Sequence, residues 1–290
     1  DIGGTKLAVG LVDDRGALTA RRQTPTPVES AEGLYAAVRE LALDARREAD
    51  VADEVVAAGV GCGGPARDGH RLVSPLNIAV WRDFPLRDRL AADLGMPTFV
   101  DNDAKALALG EGWAGAAVGV ANYIGLVVST GIGGGIVLEG RLLEGADGNA
   151  GHIGHVFVEP DGRRDAAGVA GLLEGSASGP AIADWIGAPA AAAGPLVRRQ
   201  VGEWVGRAVA SVANLLDLHL AVVAGSVALG FGDDFFDAAQ ATIDELCRVE
   251  HARGMRIVPA GLGDVGPLIG AGAVGWRGLG RDLLTGPRST

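Results

Sequence analysis

The sequence has very little cysteine and no long apolar run. Its only cysteines are Cys62 and Cys247, which lie far apart in the chain. Such a pair excludes a disulfide framework and a CxxC motif, and it suits a reducing compartment. Without about 18 consecutive apolar residues or a signal-peptide pattern, we expect neither a membrane-spanning helix nor secretion. We therefore expect a cytoplasmic protein.

Positive charge is also scarce. Lys and Arg number 25 against 36 acidic residues, which gives a net charge of −11 and a pI of about 4.9. A nucleic-acid backbone would be repelled, so we expect no nucleic-acid partner for this segment. Hydrophobic residues make up 48% of the 290 residues, enough for a large core and ordinary folding. The 47 glycines predict many tight turns.

Apolar strand patterns alternate with helical ones along the chain, which predicts an α/β fold with functional loops at the carboxyl ends of strands. Strands are predicted at 6–12, 18–24, 55–60, 98–100, 122–128, 134–138, 156–158, 221–224 and 255–259. Helices are predicted at 31–49, 85–94, 104–113, 197–216, 233–248 and 267–280. Asp1 is expected at the end of a strand that starts before it.

Two glycine-rich loops adjoin strand-forming segments, Asp1-Ile2-Gly3-Gly4-Thr5-Lys6 and Ser129-Thr130-Gly131-Ile132-Gly133-Gly134-Gly135. Glycine lets the backbone N–H groups approach an anion, and the Thr and Ser hydroxyls add donors without bulk. The pair predicts a polyphosphate site to which Asp1 contributes a hydrated Mg²⁺. The alternative for either loop alone is an ordinary β-hairpin turn.

Asp103 is the candidate general base, because it follows a predicted strand, precedes a helix and lies beside Asn102. A carboxylate in this place can take the proton of a hydroxyl group as the oxygen attacks phosphorus. The alternative is that Asp103 only caps the helix that starts at Ala104. The local sequence leaves both open.

Several segments in the same order resemble the ROK family of bacterial sugar kinases and repressors, within the actin-like ATPase superfamily. Besides the two glycine loops, they are Gly61-Cys62-Gly63-Gly64-Pro65, Ser74-Pro75-Leu76-Asn77, Trp81-Arg82-Asp83-Phe84-Pro85-Leu86, Val100-Asp101-Asn102-Asp103-Ala104 and Ala224-Gly225-Ser226. The resemblance runs nearly end to end, and the family's catalytic aspartate falls on Asp103.

The resemblance implies two actin-like (ribonuclease H-like) α/β domains with an interdomain cleft. Residues 1–108 would form a smaller sugar-side domain, onto which a helix at about 267–285 packs back, and residues 109–266 a larger one with ATP-side and sugar-side loops. The implied sugar contacts are Gly64, Asn77, Asn102, Asp103, His152, His155 and Glu174. The implied ATP contacts are Asp1, Gly3, Gly4, Thr5, Lys6, Thr130, Gly131, Gly133, Gly134 and Gly225.

One departure from the family pattern concerns sugar recognition. Where the family usually carries Glu-x-Gly-His, this chain has His152-Ile153-Gly154-His155, so that His152 replaces the glutamate. A carboxylate accepts two hydroxyl groups, whereas a neutral imidazole accepts one and can also donate. His155 is kept as a sugar-hydroxyl contact, with a buried structural histidine as the alternative. Glu174 is kept as a sugar contact, with a carboxylate at a helix N-terminus as the alternative.

A second departure concerns zinc. The family usually carries Cys-x-Cys-Gly-x-x-Gly-Cys-x-Glu, and here the three cysteine positions hold Asp165, Ala167 and Leu172. A structural zinc ion needs four good ligands, and His155 with Asp165 supplies two at most. We therefore expect no structural zinc, and ATP and Mg²⁺ as the only small partners besides a hexose.

The sequence thus predicts ATP-dependent phosphorylation of a hexose by a homodimer or homotetramer. The alternative is a sugar-binding regulator core or non-catalytic sugar sensor whose DNA-binding module is absent from this chain. A dinucleotide enzyme is also suggested by Gly270-Ala271-Gly272-Ala273-Val274-Gly275, a literal GxGxxG. That motif needs a preceding strand and an acidic residue about 20 positions later, so close helix packing is the favoured interpretation. The hexose itself is not identified.

Overall fold

The structure is a computed structural model, and it describes residues 1–48, 54–165 and 168–284. Residue 49 of the predicted first helix, Ala166 and Ala167 of the zinc segment, and residue 285 lie outside these ranges. Within them, no helix is both long and apolar enough to cross a membrane.

The described elements alternate between strands and helices. The strands are β1 (Lys6–Val12), β2 (Leu18–Pro25), β3 (Ala58–Cys62), β4 (Ala66–Arg67), β5 (Leu72–Val73), β6 (Thr98–Asn102), β7 (Tyr123–Val128), β8 (Ile132–Leu138), β9 (Arg141–Leu142), β10 (Leu220–Ala224) and β11 (Arg256–Pro259). The α-helices are α1 (Ala31–Glu48), α2 (Leu86–Leu94), α3 (Asp103–Ala114), α4 (Leu173–Ala177), α5 (Gly179–Ile186), α6 (Pro195–Leu216), α7 (Ser226–Phe231), α8 (Asp233–Leu246) and α9 (Gly266–Gly278).

The chain divides into two compact units. The first comprises Asp1–Gly119, Leu142–Ala150 and Leu262–Thr290, and the second comprises Val120–Arg141 and Gly151–Gly261, as far as these ranges are described. Helix α9 belongs to the first unit, where it packs on β3 and α3. The domain boundaries expected from the sequence, at residues 108/109 and 266/267, stay a prediction beside this contact-based division.

In the first unit, β1 pairs antiparallel with β2, and β3 pairs parallel with β6. Isolated bridges join Ile2 to Leu7 and to Cys62, so the residue after Asp1 lies beside both β1 and β3. The core beneath these strands includes Trp81, which stacks on Phe84 at 4.5 Å and donates its indole N–H to Ala31 O. Burial of such large rings supplies much of the stability of a core.

The second unit is built on a five-stranded sheet in the order β11-β10-β7-β8-β9. Strand β10 is parallel to both β7 and β11, whereas β7 and β8 form an antiparallel pair. Central strands covered on both faces are expected to be continuously apolar, and β10 follows that rule with four of its five residues buried. The strand predicted at 156–158 is wrong, because Phe157 makes only a single bridge to Leu172.

The GxGxxG segment lies in α9, and its glycines are used for packing. A β-carbon at Gly59 of β3 would lie 2.0 Å from Ala271 O, and one at Gly270 would lie 2.4 Å from Ala106 O of α3. Contacts under 3.0 Å are not tolerated, so glycine is the only residue that fits these crossings. The preference for close helix packing over a dinucleotide motif is confirmed.

Candidate functional site

The first glycine loop is a tight turn held by main-chain hydrogen bonds. Ile2 donates to Gly61 O at 2.8 Å, and Gly3 donates to Lys6 O at 3.0 Å. The Thr26 hydroxyl donates to Gly3 O at 2.7 Å and ties the turn to the segment after β2. The first glycine loop therefore has the shape of a tight hairpin turn. That it binds phosphate stays a prediction.

This turn has the donors that an anion needs. Within the described residues, the N–H groups of Gly4 and Thr5 have no hydrogen-bond partner, and the side chains of Thr5 and Lys6 are exposed. Two unpaired N–H groups beside a hydroxyl and an ammonium group fit a phosphate. A β-carbon at Gly4 would lie 3.1 Å from the Asn77 Cβ, so the predicted sugar contact Asn77 adjoins the turn.

Neighbouring strands bring the other first-unit candidates to the same edge of the sheet. Ile2 bridges Cys62, and Cys62 pairs with Asn102, so these three residues lie side by side. Gly64 O accepts the N–H of Leu76 at 3.1 Å, which fixes the loop that carries Asn77. Burial, and next the nearby Asp103 carboxylate, raise the pKa of the Cys62 thiol, so this cysteine stays neutral beside the site.

Asn102, and not Asp103, is the cap of α3. Asn102 has extended backbone angles (φ −61°, ψ 142°), and its side-chain oxygen accepts the N–H groups of Ala104 at 3.0 Å and Lys105 at 3.4 Å. Asp103 is already the first helical residue, and its Oδ1 also accepts the Ala104 N–H, at 2.9 Å. Asn102 rather than Asp103 therefore supplies most of the cap, and the amide NH₂ of Asn102 takes no part in it.

A set of charged side chains that no sequence pattern indicated lies around the start of α3, and two of them, Asp101 and Lys105, are buried. Asp101 is 4% exposed and lies 3.3 Å from Lys105 Nζ and 3.6 Å from Arg277 Nη1. Glu144 pairs with both cations. Burial opposes ionisation of Glu144, but hydrogen bonds from Lys105 and Arg277 outweigh it and lower the pKa of that carboxyl. Glu144 and Arg277 are far from Asp101 and Lys105 in the sequence, so no local pattern indicates that the four charges meet.

The second glycine loop is a hairpin turn between β7 and β8, in the second unit. Val128 pairs with Ile132, and Ser129 donates its N–H to Gly131 O at 3.0 Å. Thr130 is exposed, and the N–H groups of Thr130 and Gly131 are unpaired within the described residues. The donor set therefore also fits a phosphate.

One glycine of this region, Gly134, is explained by packing. Gly133 and Gly134 lie in β8, opposite Val127 and Leu126, and a β-carbon at Gly134 would lie 2.9 Å from Gly151 O. A Gly134→Val side chain would therefore strike the protein's own backbone before any phosphate. That the two bind phosphate stays a prediction, and Thr130 and Gly131 become the better residues for testing it.

The turn Ala224-Gly225-Ser226, which carries the predicted ATP contact Gly225, is also closely packed. Gly225 has φ +102°, and a β-carbon there would lie 2.2 Å from Val128 O, the last residue of β7. The Ser226 and Ser129 hydroxyls lie 3.0 Å apart, which joins this turn to the second glycine loop. Gly225 is consequently required by backbone geometry, and its predicted ATP contact is a further, untested role.

The predicted sugar residues of the second unit surround the start of β8. Glu174, in α4, accepts the N–H of Ile132 at 2.8 Å through Oε2. A β-carbon at Gly154 would lie 2.4 Å from Ile132 O, so the short helical turn Ile153–His155 packs on the same residue. The rings of His152 and His155 are 6.0 Å apart. Glu174 thus stabilises the second glycine loop through this hydrogen bond, and its sugar contact stays a prediction.

The donors at the family's zinc position do not fit zinc. Asp165 accepts the Val169 N–H at 2.8 Å and lies 3.9 Å from His155 Nε2, while Leu172 is a buried apolar residue with no ligand atom. Hydrogen bonds and apolar packing therefore organise the part of this loop that is described. The expected absence of zinc stays a prediction.

One sizeable cavity lies away from these residues. It measures about 740 Å³, lies within the first unit, and is bounded by β1, β3, α1 and α9. Its walls include Val9, Leu11, Val60 and Leu268, and among the predicted site residues only Asp1 reaches them. A hexose needs several convergent hydrogen-bonding groups, and none of the predicted sugar contacts lines this cavity.

Comparisons with known proteins agree with the residue-level observations. A glucokinase of Halalkalibacterium halodurans is 37% identical over 187 residues, which is 63% of this chain and 56% of that enzyme. An N-acetylmannosamine kinase of Yersinia pestis is 35% identical over 265 residues, 86% of this chain and 89% of that enzyme. The chain thus spans little more than half the length of the curated glucokinases that it matches.

Solved structures are similar over nearly the whole chain. A ROK family glucokinase from Streptomyces griseus, in complex with glucose and AMPPNP, has a TM-score of 0.80 at 30% identity and covers 95% of this chain and 97% of its own. A ROK family transcriptional regulator has a TM-score of 0.81 at 24% identity, a likeness of fold alone. The predicted actin-like α/β fold is confirmed. Because the ROK family model matches residues 1–276, the chain belongs to the ROK family.

Proposed function

We propose that the protein phosphorylates a hexose with ATP, and that Asp103 is the general base. The observation that carries this proposal is the division of roles at the start of α3, where Asn102 caps the helix and Asp103 follows β6, with only β3 between that strand and the first glycine turn. Family membership supports it, as do the glucose and AMPPNP bound by the Streptomyces griseus relative.

In the proposed reaction, the Asp103 carboxylate accepts the proton of one sugar hydroxyl group. The freed oxygen attacks the γ-phosphorus of ATP, a new P–O bond forms, and the bond from that phosphorus to the ADP oxygen breaks. Such transfers rely mainly on positioning and on stabilising charge, so the base need only be close and correctly oriented. Asn77 and the Asn102 amide group would hold the sugar hydroxyls beside it.

Each glycine turn offers unpaired donors that would hold phosphate. Gly4 and Thr5 offer N–H groups in the first turn, and Thr130 and Gly131 offer them in the second. Backbone donors of this kind are fixed before the substrate arrives, which is where electrostatic stabilisation is most effective. Asp1 would hold Mg²⁺ through water, and the ion would neutralise phosphate charge.

Two sugars are the first to test. Relatives of this chain are named glucokinase and N-acetylmannosamine kinase, and the two sugars differ at the acetamido group. His152, in place of the family glutamate, can donate a hydrogen bond to an acetamido carbonyl, whereas a carboxylate cannot. We therefore propose that the natural substrate presents an acceptor at this position.

The test is Asp103→Asn, which keeps the shape of the side chain and the acceptor for the Ala104 N–H. Loss of a general base typically costs about 10²- to 10⁴-fold in rate, so kcat should fall that far while hexose binding by calorimetry persists. Asp237→Asn, on an exposed position of α8, is the matched control and should turn over like wild type.

Two results would contradict the proposal. Turnover by Asp103→Asn at the wild-type rate would remove Asp103 from the chemistry. Hexose binding without phosphorylation of any sugar by the wild-type protein would instead favour a sugar sensor.

A further inference from the structure

Two buried and two partly exposed charges near Asp103 form one connected cluster within the first unit. We call Asp101, Lys105, Glu144 and Arg277 the ion cluster; His70 Nε2 also lies 3.3 Å from Asp101 Oδ1. The Lys105 side chain is 1% exposed and that of Asp101 5%, whereas Glu144 and Arg277 are 41% and 39% exposed. The ion cluster contains two acidic and two basic side chains, so its formal charges cancel.

Such a cluster is costly for a protein to build. Desolvation of two charges is repaid only when the geometry is good, and apolar residues of the same volume are often as stable. The lysine is also notable in this sequence, because Lys6 and Lys105 are the only two lysines among 25 Lys and Arg residues. One stands in the first glycine loop, and the other is buried two positions after Asp103.

The ammonium group of Lys105 matches the acceptors around it in number and size. Its ammonium group carries three donors, and it has three acceptors around it: Asp101 Oδ1 at 3.3 Å, Glu144 Oε2, and Gly148 O at 2.8 Å. An ammonium group is a compact point charge, whereas a guanidinium group is a larger planar fork. Lys105→Arg would therefore not reproduce these contacts.

The contacts of Lys105 join two segments that carry or adjoin site residues. On one side, Asp101 Oδ1 also accepts the Asn102 N–H at 2.8 Å, directly before Asp103. On the other side, Glu144 and Gly148 lie in the segment 142–150, whose own ends are closed by the Ala150 N–H donating to Glu144 O at 3.0 Å.

That segment has a second anchor in the first unit. The Asn149 side chain accepts the Ala66 N–H at 3.1 Å and donates to Ala66 O at 3.0 Å, in the manner of a paired strand. Along the chain, residue 150 is followed by Gly151 and then His152, the predicted sugar contact. The segment is thus fixed at both Lys105 and Ala66 directly before that histidine.

We propose that Lys105 is a positioning residue of the proposed kinase, which ties the start of α3 to segment 142–150 and so holds Asp103 in its reacting orientation. Lys105 touches neither substrate nor phosphate in this role. It acts through Asp101 and the Asn102 backbone on one side and through Glu144 and Gly148 on the other. The inference rests on the proposed function.

The experiment separates positioning from simple stability with two variants. Lys105→Met removes the charge and leaves Asp101 buried with less compensation, so the melting temperature should fall. The double variant Lys105→Met with Asp101→Asn removes the uncompensated charge and keeps an acceptor for the Asn102 N–H, so the melting temperature should largely recover. Arg256→Met, at an exposed position of β11, is the control.

Activity should follow a different pattern from stability. Misplacement of a reacting group by about 1 Å can lower the rate about 10²-fold. We therefore expect kcat to fall about 10- to 100-fold in both variants when it is measured well below their melting temperatures. The KM for ATP should change less than kcat. Hydrogen–deuterium exchange of residues 142–150 should accelerate in both variants and remain as in wild type in Arg256→Met.

The outcomes are distinguishable. Recovery of kcat together with the melting temperature in the double variant would show that Lys105 only stabilises the fold, as would unchanged exchange in 142–150. A wild-type protein that phosphorylates no hexose would overturn the proposed function and this role together. An active wild type with a fully active double variant overturns the role alone.

Discussion

Asn102 caps α3 and is also a proposed sugar contact, and substitution can separate the two roles. Its side-chain oxygen accepts two N–H groups at the start of α3, and its amide NH₂ takes no part in this cap. Serine is as good a cap as asparagine but has no amide, whereas alanine supplies neither group. Asn102→Ser should therefore lose only the sugar contact, and Asn102→Ala should lose both the contact and the cap.

The magnitudes follow from these contacts. Loss of a helix cap costs about 1 kcal/mol, and for a domain of this size that lowers Tm by about 2–4 °C. A neutral hydrogen bond to the sugar contributes about 0.5–1.5 kcal/mol, which corresponds to an increase in hexose KM of about 2- to 13-fold. We expect the KM increase in both variants and the loss of Tm in Asn102→Ala alone.

Thermal unfolding and steady-state kinetics of the three proteins, run in the same buffer, test both parts. Equal destabilisation by serine and alanine would refute the capping geometry, because a hydroxyl oxygen should replace the amide oxygen. An unchanged hexose KM in both variants would refute the sugar contact and leave Asn102 a structural residue.

Two further predictions concern the departures from the family pattern. His152→Glu should raise kcat/KM for glucose and lower it for a hexose with an acetamido carbonyl, and a hexose panel that does not respond would remove His152 from the sugar site. Treatment with EDTA should leave Tm unchanged, because Asp165 and Leu172 replace zinc ligands; stoichiometric zinc by elemental analysis, lost together with Tm, would contradict this.

The sequence predicted the features that depend on short segments. The glycine turns, the strand before Asp103 and the α/β alternation all have local signatures, since turn chemistry and hydrophobic period are properties of a few consecutive residues. The GxGxxG segment was interpreted correctly for the same reason, because the surrounding pattern lacked the elements of a dinucleotide site.

Features that depend on backbone angles or distant partners could not be predicted. Asn102 and Asp103 are both good caps, and only the extended backbone of Asn102 decides between them. The sequence places Lys105 at an ordinary polar position of a helix, yet its partners Glu144 and Gly148 come from a segment about 40 residues away. Nor did the sequence indicate that Gly134 faces the main chain of Gly151.

The glycine crossings around α9 also have a consequence for how this sequence can be engineered. Glycine to alanine within a helix ordinarily gains up to about 1 kcal/mol, so such changes are a common route to thermostability. At Gly110 and Gly270 the added methyl group would meet backbone at 3.0 and 2.4 Å, whereas Gly230 of α7 has nothing within 4 Å of it. The same exchange should thus lower stability at Gly110 and Gly270 and raise it at Gly230.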